Sequence, residues 1–158
     1  MQQPFVKLAV VTEHIRLDNR WQTDKWEVVG VVPDASPHGT PASILYEDSS
    51  RTQWLHPGHS LSLYRDEAEG YFLNLSVAQP FVFVMWRDQD GRAVPHTVTA
   101  SYNEAARMLD AGESVEGVPM PLEWVPWVRE FVATHYKPES MKTRIRPPSF
   151  KGARRDDR

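Results

Sequence analysis

Six histidines, 21 carboxylates and no cysteine are the groups with which this 158-residue chain could do chemistry. His56-x-x-His59 has the separation of two imidazoles on one metal. Pro57-Gly58 puts the pair on a turn, however, and no cysteine or third ligand stands nearby, so chance spacing is the expectation. Asp66, Glu67 and Glu69 cluster, yet two carboxylates divide acid and base roles only when their environments differ, and a charged hairpin tip is uniformly wet. A solvated turn is expected there. No G-x-S-x-G elbow accompanies the histidines to suggest a serine hydrolase. Gly112 and Gly117 have the separation of a phosphate loop, but Val118-Pro119 stands where Lys-Ser/Thr must reach phosphate and magnesium. The lack of cysteine rules out disulfides, thiol nucleophiles and iron–sulfur ligation, and fits a reducing compartment. The residues thus name no catalytic, metal-binding or cofactor-binding set, and a non-enzyme without a cofactor is expected.

The formal charge of −3 hides a split. Residues 1–136 carry 10 Lys+Arg against 18 Asp+Glu, a net −8, whereas 137–158 carry 8 against 3, a net +5. The first stretch has the length of one domain with a real core. The second has few apolar anchors and three prolines, and is expected to be a disordered tail. Its Lys142, Arg144, Arg146, Lys151, Arg154 and Arg155 suit an anionic partner, although a solubilising role fits equally. Aromatic interleaving is missing apart from Phe150, so nucleic acid is not the expected partner. No run of 18 apolar residues occurs, and a cytoplasmic protein without a membrane span is expected.

The elements that would position such groups read as strands first and helices last. Phe5 to Thr12, Lys25 to Val32, Ser43 to Tyr46 and Thr52 to Leu55 are β-branched or apolar stretches separated by polar turns. Gly30 hints at a bulge or a close backbone approach, and Pro33 to Pro41 is a loop. After the turn at His56 to His59, extended structure resumes at Leu61, Leu63 and Tyr64. Tyr71 to Val77 alternates as a half-buried strand does, and Phe81 to Trp86 is continuously apolar, like a central strand covered on both faces. Asp90-Gly91 signals a hairpin into Val94 to Ala100, which Pro95 confines to an edge. Ser101, with Glu104 three residues on, caps a helix over Tyr102 to Ala111 that Gly112 closes. A turn at Glu116-Gly117 follows. The order predicts an α+β domain with an antiparallel sheet or partly closed barrel of about seven or eight short strands, then two C-terminal helices.

The densest apolar stretch, Val115 to Tyr136, carries the last helix. Trp124, Trp127, Val128, Phe131 and His135 follow helical spacing, with Val125 and Val132 widening the face. Pro126 fits only in a first turn, so the helix should begin near Trp124, reached through a tighter turn over Pro121 to Glu123. This reading makes Trp127 core. It leaves Trp124 at an exposed end with Met120, as an apolar patch for a partner.

Four stretches resemble one proteobacterial family: Leu17-Asp18-Asn19-x-Trp21 with Trp26, Glu69-Gly70-Tyr71-x-x-Asn74-Leu75-Ser76, Val115-Glu116-Gly117-Val118-Pro119-Met120-Pro121, and Trp127-Val128-x-x-Phe131-Val132-x-x-His135. Its genes commonly lie beside those of molybdenum-dependent formate dehydrogenase, and its members are sometimes labelled molybdopterin-guanine dinucleotide biosynthesis protein A. The glycine-rich nucleotide-binding start of that transferase is missing here. The resemblance implies a domain of unknown function that helps to make or maintain the dehydrogenase. The expected role is a non-enzymatic assembly factor that binds a dehydrogenase subunit or a co-encoded accessory protein, using Trp21, Trp26, Met120, Trp124 and the basic tail. The alternative is a pterin- or nucleotide-binding module drawing on Asn74, Ser76 and Trp86.

Overall fold

A computed structural model describes residues 3–18, 21 and 24–138. Four strands, β1 (Phe5–Arg16), β2 (Asp24–Pro33), β3 (Ser43–Glu47) and β4 (Arg51–Ser62), form one antiparallel sheet in the order β2-β1-β4-β3. A 3₁₀ turn at Arg65–Glu67 leads into helix α1 (Ala68–Leu75). The hairpin of β5 (Phe81–Gln89) and β6 (Arg92–Thr99), helix α2 (Tyr102–Asp110) and β7 (Ser114–Pro119) follow. The second sheet has the order β6-β5-β7 and is also antiparallel. A 3₁₀ turn at Leu122–Trp124 then opens helix α3 (Val125–His135). The α+β expectation holds, as two open sheets and not a closed barrel.

Leu8 and Val10 of β1, Val28 and Val31 of β2, Leu61 of β4, Val82 and Val84 of β5 and Val118 of β7 converge on one core. Tyr71 of α1 and Val128, Phe131 and Val132 of α3 seal it. The sheets meet at two seams. β2 lies beside β7, where the Val28 N–H donates to Glu116 Oε1 at 2.6 Å, and β4 lies beside β6.

Several local signals act as read. Asp90 and Gly91 take φ of 56° and 82°, the left-handed pair that a two-residue hairpin needs. Pro95 lies on an edge strand. The Ser101 side chain caps α2 by accepting from the Glu104 N–H at 3.0 Å, and Gly112 (φ 90°) follows the helix end. Beside Gly30, β2 bulges: Val11 pairs with Gly30 and Thr12 with Val28, leaving Val29 extra.

Four expectations are corrected. Tyr71 to Val77 is not a strand but the C-terminal half of α1 and the turn after it, because helical geometry buries Ala68, Tyr71 and Asn74 on one side. The helices therefore number three among the described residues. His56 to His59 is no turn: β4 runs through it, with Leu8 paired to His59 and Val10 to His56, and Gly58 (φ 89°) absorbs the extra residue as a bulge. Glu116-Gly117 lies inside β7, opposite Val84 and Phe83, and a Cβ on Gly117 would stand 3.2 Å from the Phe83 ring. β5 is central in its sheet, and Val82, Val84 and Met85 are buried, but Phe81 and Phe83 are only partly buried on the outer face.

The tryptophans also exchange roles. Trp124 is 5% exposed and Met120 2%, both in the core, whereas Trp127 is only partly buried against it. Trp124 belongs to the 3₁₀ turn, which advances each residue by about 120° and not 100°, so the helical projection misplaces it. We expect Trp124→Ala to cost about 3–5 kcal/mol and Trp127→Ala distinctly less. Urea denaturation of the two variants checks this order.

Candidate functional site

The residues proposed from sequence do not converge. Met120 and Trp124 are buried in the core and present no surface. Trp21 is 86% exposed, and Trp26 stacks on His14 at 4.5 Å, with His14 bonded to Asp24 at 3.0 Å near the connected end of the β1–β2 hairpin. Lys142, Arg144, Arg146, Lys151, Arg154 and Arg155 lie outside the described residues. Asn74, Ser76 and Trp86 form no pocket together, since their polar atoms are engaged within the fold. The Asn74 amide bonds to Phe81 and Ala100, the Ser76 hydroxyl to Phe72 O, and Trp86 Nε1 to Glu116. Glu67 is not a solvated turn residue either. It accepts from the Ser101 hydroxyl at 2.6 Å and from Arg107, tying the start of α1 to α2. Gly70 must lack a side chain here, because a methyl would overlap the Ser101 hydroxyl.

Two surface features do stand out. The first is an apolar groove of about 430 Å³ lined by Leu73, Asn74, Val77, Phe81, Phe83 and Tyr102. It runs over the outer face of β5 between α1 and α2. Its rings form a continuous layer, with Phe81 and Phe83 centroids 6.1 Å apart and Phe83 edge-on to Tyr102 at 6.4 Å. Leu73, Val77 and Tyr102 are exposed, which water disfavours for adjoining large apolar side chains. The sequence signal was the unbroken apolar run of β5, taken as a sign of two-sided cover.

The second feature is a polar cleft at the β4–β6 seam, where lobes of about 360 and 270 Å³ share Gly58, His59 and Ser60. His56, set beside it by the bulge, bonds the Thr12 hydroxyl at 3.0 Å. Burial holds the His56 imidazole down to about 4, with His59 and Arg92 adding repulsion. Burial likewise lowers His59, opposed by the charge of Asp34 and aided by that of His96. Asp34 is held ionised by the hydroxyl and N–H of Ser36 and by the Gly58 N–H at 3.1 Å. Among the described residues no group of three His, Cys, Asp or Glu is arranged to hold a metal ion. No described helix is long and apolar enough to cross a membrane.

A family model described as a protein of unknown function (DUF3305) matches residues 7–146. Neither the curated proteins nor the solved structures contain a match.

The seam histidines set a pH dependence. His56 is neutral in the fold down to about pH 4 but takes a proton near pH 6.5 once unfolded. Between these values the unfolded chain binds more protons, so stability rises with pH and is lost as pH falls from 6.5 toward 4. Denaturation midpoints measured across that window should fall in acid, and His56→Gln should flatten the fall.

Proposed function

We propose that this chain, which belongs to the DUF3305 family, is a non-enzymatic accessory protein that holds a protein partner in the groove between α1 and α2. The observation that carries the reading is the groove itself. Leu73, Val77, Phe81, Phe83 and Tyr102 form an apolar surface of about 430 Å³ on a molecule whose core is already complete without them. Protein interfaces concentrate aromatic side chains at their buried centre, and here three rings share one floor. The fit is to an apolar side chain or a short helix face.

The resemblance to a family encoded beside formate dehydrogenase makes a dehydrogenase subunit, or a small accessory protein encoded with it, the proposed partner. Assembly or maturation of that enzyme is the proposed task. A cytoplasmic site of action goes with it. Trp21, exposed at a distance from the groove in sequence, remains a second contact in this proposal.

Tagged at either terminus and recovered from its native host at physiological salt, the chain should bring down a dehydrogenase component identifiable by mass spectrometry. Leu73→Asp and Val77→Asp each place a carboxylate in the groove, on side chains exposed enough for the fold to survive. Each should weaken capture at least about tenfold, which is about 1.4 kcal/mol, with unchanged denaturation midpoints. Undiminished capture by both variants would sink the groove as the contact, and recovery of no dehydrogenase component would sink the partner.

A further inference from the structure

We propose that the cleft between β4 and β6 binds the oxyanion end of a small molecule, a carboxylate or a phosphate, and takes up a proton with it. The site is separate from the groove, and neither reading rests on the other.

The argument starts from which polar atoms are already engaged. In the smaller lobe the carboxylate is Asp34, and its oxygens are occupied: Oδ1 accepts from the Ser36 N–H and hydroxyl, and Oδ2 from the Gly58 N–H. That arrangement pins the bulge and leaves Asp34 little capacity for a ligand. Lys7 and Ser60, by contrast, are paired across β1 and β4 and line the same lobe, and their side chains find no hydrogen-bond partner among the described residues. His59 is in the same state and stands where the two lobes join. Lys7 and Ser60 lie on the outer face of the β1–β4 pair and His59, paired with Leu8, on the inner one where the lobes join, so three unengaged proton donors border the open edge of β4 from its two sides and suit an acceptor-rich group there. The adjoining lobe of about 360 Å³, lined in part by Ser62, Tyr64, Thr97 and Thr99, has room for the polar remainder of such a molecule.

The charge balance then dictates the proton. At neutral pH the ammonium of Lys7 is offset by Asp34 in the smaller lobe, and Glu104 adds a negative charge at the far wall of the larger one. Burial and the charge of His96 on β6 hold His59 toward its neutral form against the pull of Asp34, and His59 in turn opposes a charge on His56 of its own strand. Arg92 acts on His56 from the β6 side, and His38 lines the loop side of the smaller lobe. An arriving anion adds to the opposite charge of Asp34 and draws a proton onto His59. Affinity must then rise as pH falls through the histidine range, by the reciprocity of linked equilibria.

Histidine ring resonances of the full chain, followed by NMR during titration with acetate and, separately, with inorganic phosphate, test this. Acetate stays ionised throughout pH 6 to 8, so its affinity isolates the protein's proton. We expect the His59 resonance to shift on binding of at least one anion, its apparent pKa to rise by about one unit on saturation, and that anion to bind about threefold more tightly at pH 6 than at pH 8. A response to acetate alone assigns a carboxylate, to phosphate alone a phosphate ester, and to both an unselective oxyanion site. Lys7→Gln, at an exposed position, should abolish the response, and His59→Gln should remove the pH dependence of acetate binding followed at His96. A His59 resonance indifferent to both anions, or a response unchanged in Lys7→Gln, would overturn the proposal while leaving capture of a protein partner untouched.

Discussion

Asn74 is 3% exposed, and its carboxamide makes three hydrogen bonds to backbone far away in sequence. Nδ2 donates to Phe81 O at 2.7 Å and to Ala100 O at 2.9 Å, while Oδ1 accepts from the Phe81 N–H at 2.9 Å. One side chain thereby joins the end of α1 to the start of β5 and the end of β6. A buried amide left unpaired costs about 1–3 kcal/mol, so any sliding of α1 along the sheet is opposed. Ser101 extends the knot by capping α2, donating to Glu67 and resting against Gly70. The apolar groove is a consequence. With both helices fixed to β5, Leu73 and Val77 are held over Phe81 and Phe83, and none of the described elements covers them.

The two seams between the sheets are built differently. At the β2–β7 seam, Glu116 Oε1 accepts from both the Val28 N–H and Trp86 Nε1, a pair of charge-assisted bonds that clamps backbone and side chain together. No equivalent carboxylate bridges β4 to β6 among the described residues. There the bulge at Gly58 turns the strand, imidazoles face across the gap, and a cleft remains. Bulges commonly lie beside functional sites because they redirect side chains without ending a strand. In this sheet the bulge brings both His56 and His59 into register with inward-facing residues of β1. A regular strand would set positions three apart on opposite faces.

What the sequence made legible follows from the range of the interactions involved. Ser101 with Glu104, Asp90-Gly91, and Pro126 in the first turn of α3 act within a few residues, and each element they mark is present. α1 was misread because Tyr71, Leu73, Leu75 and Val77 satisfy a strand period, while the residue that decides for a helix, Asn74, acts through partners 7 and 26 positions away. β7 was misread because Glu-Gly is a turn signal locally, whereas Gly117 serves the Phe83 ring on the neighbouring strand. Trp124 and Trp127 were exchanged for want of one 3₁₀ turn. The groove and the cleft left only single local traces in the sequence, since each is assembled from three or more elements. Pro57-Gly58 between two histidines was the trace of the cleft, and it was taken for a chain reversal.

Helix α2 stands between the two surfaces. Tyr102 lines the groove and Glu104, two residues on, lines the cleft, so a shift of this helix would alter both at once. Such coupling needs a second stable position for α2 with different contacts at each site. The first turn of α2 opposes one. Ser101 receives and gives three hydrogen bonds, to Thr99, Glu67 and Glu104, and Arg107 binds Glu67 one turn further on. Moving the helix would break the bonds of Ser101, which is fully buried, where water does not replace them. The physical expectation is therefore two preformed and independent surfaces on one rigid frame, with partner capture indifferent to pH except through the stability of the histidine seam.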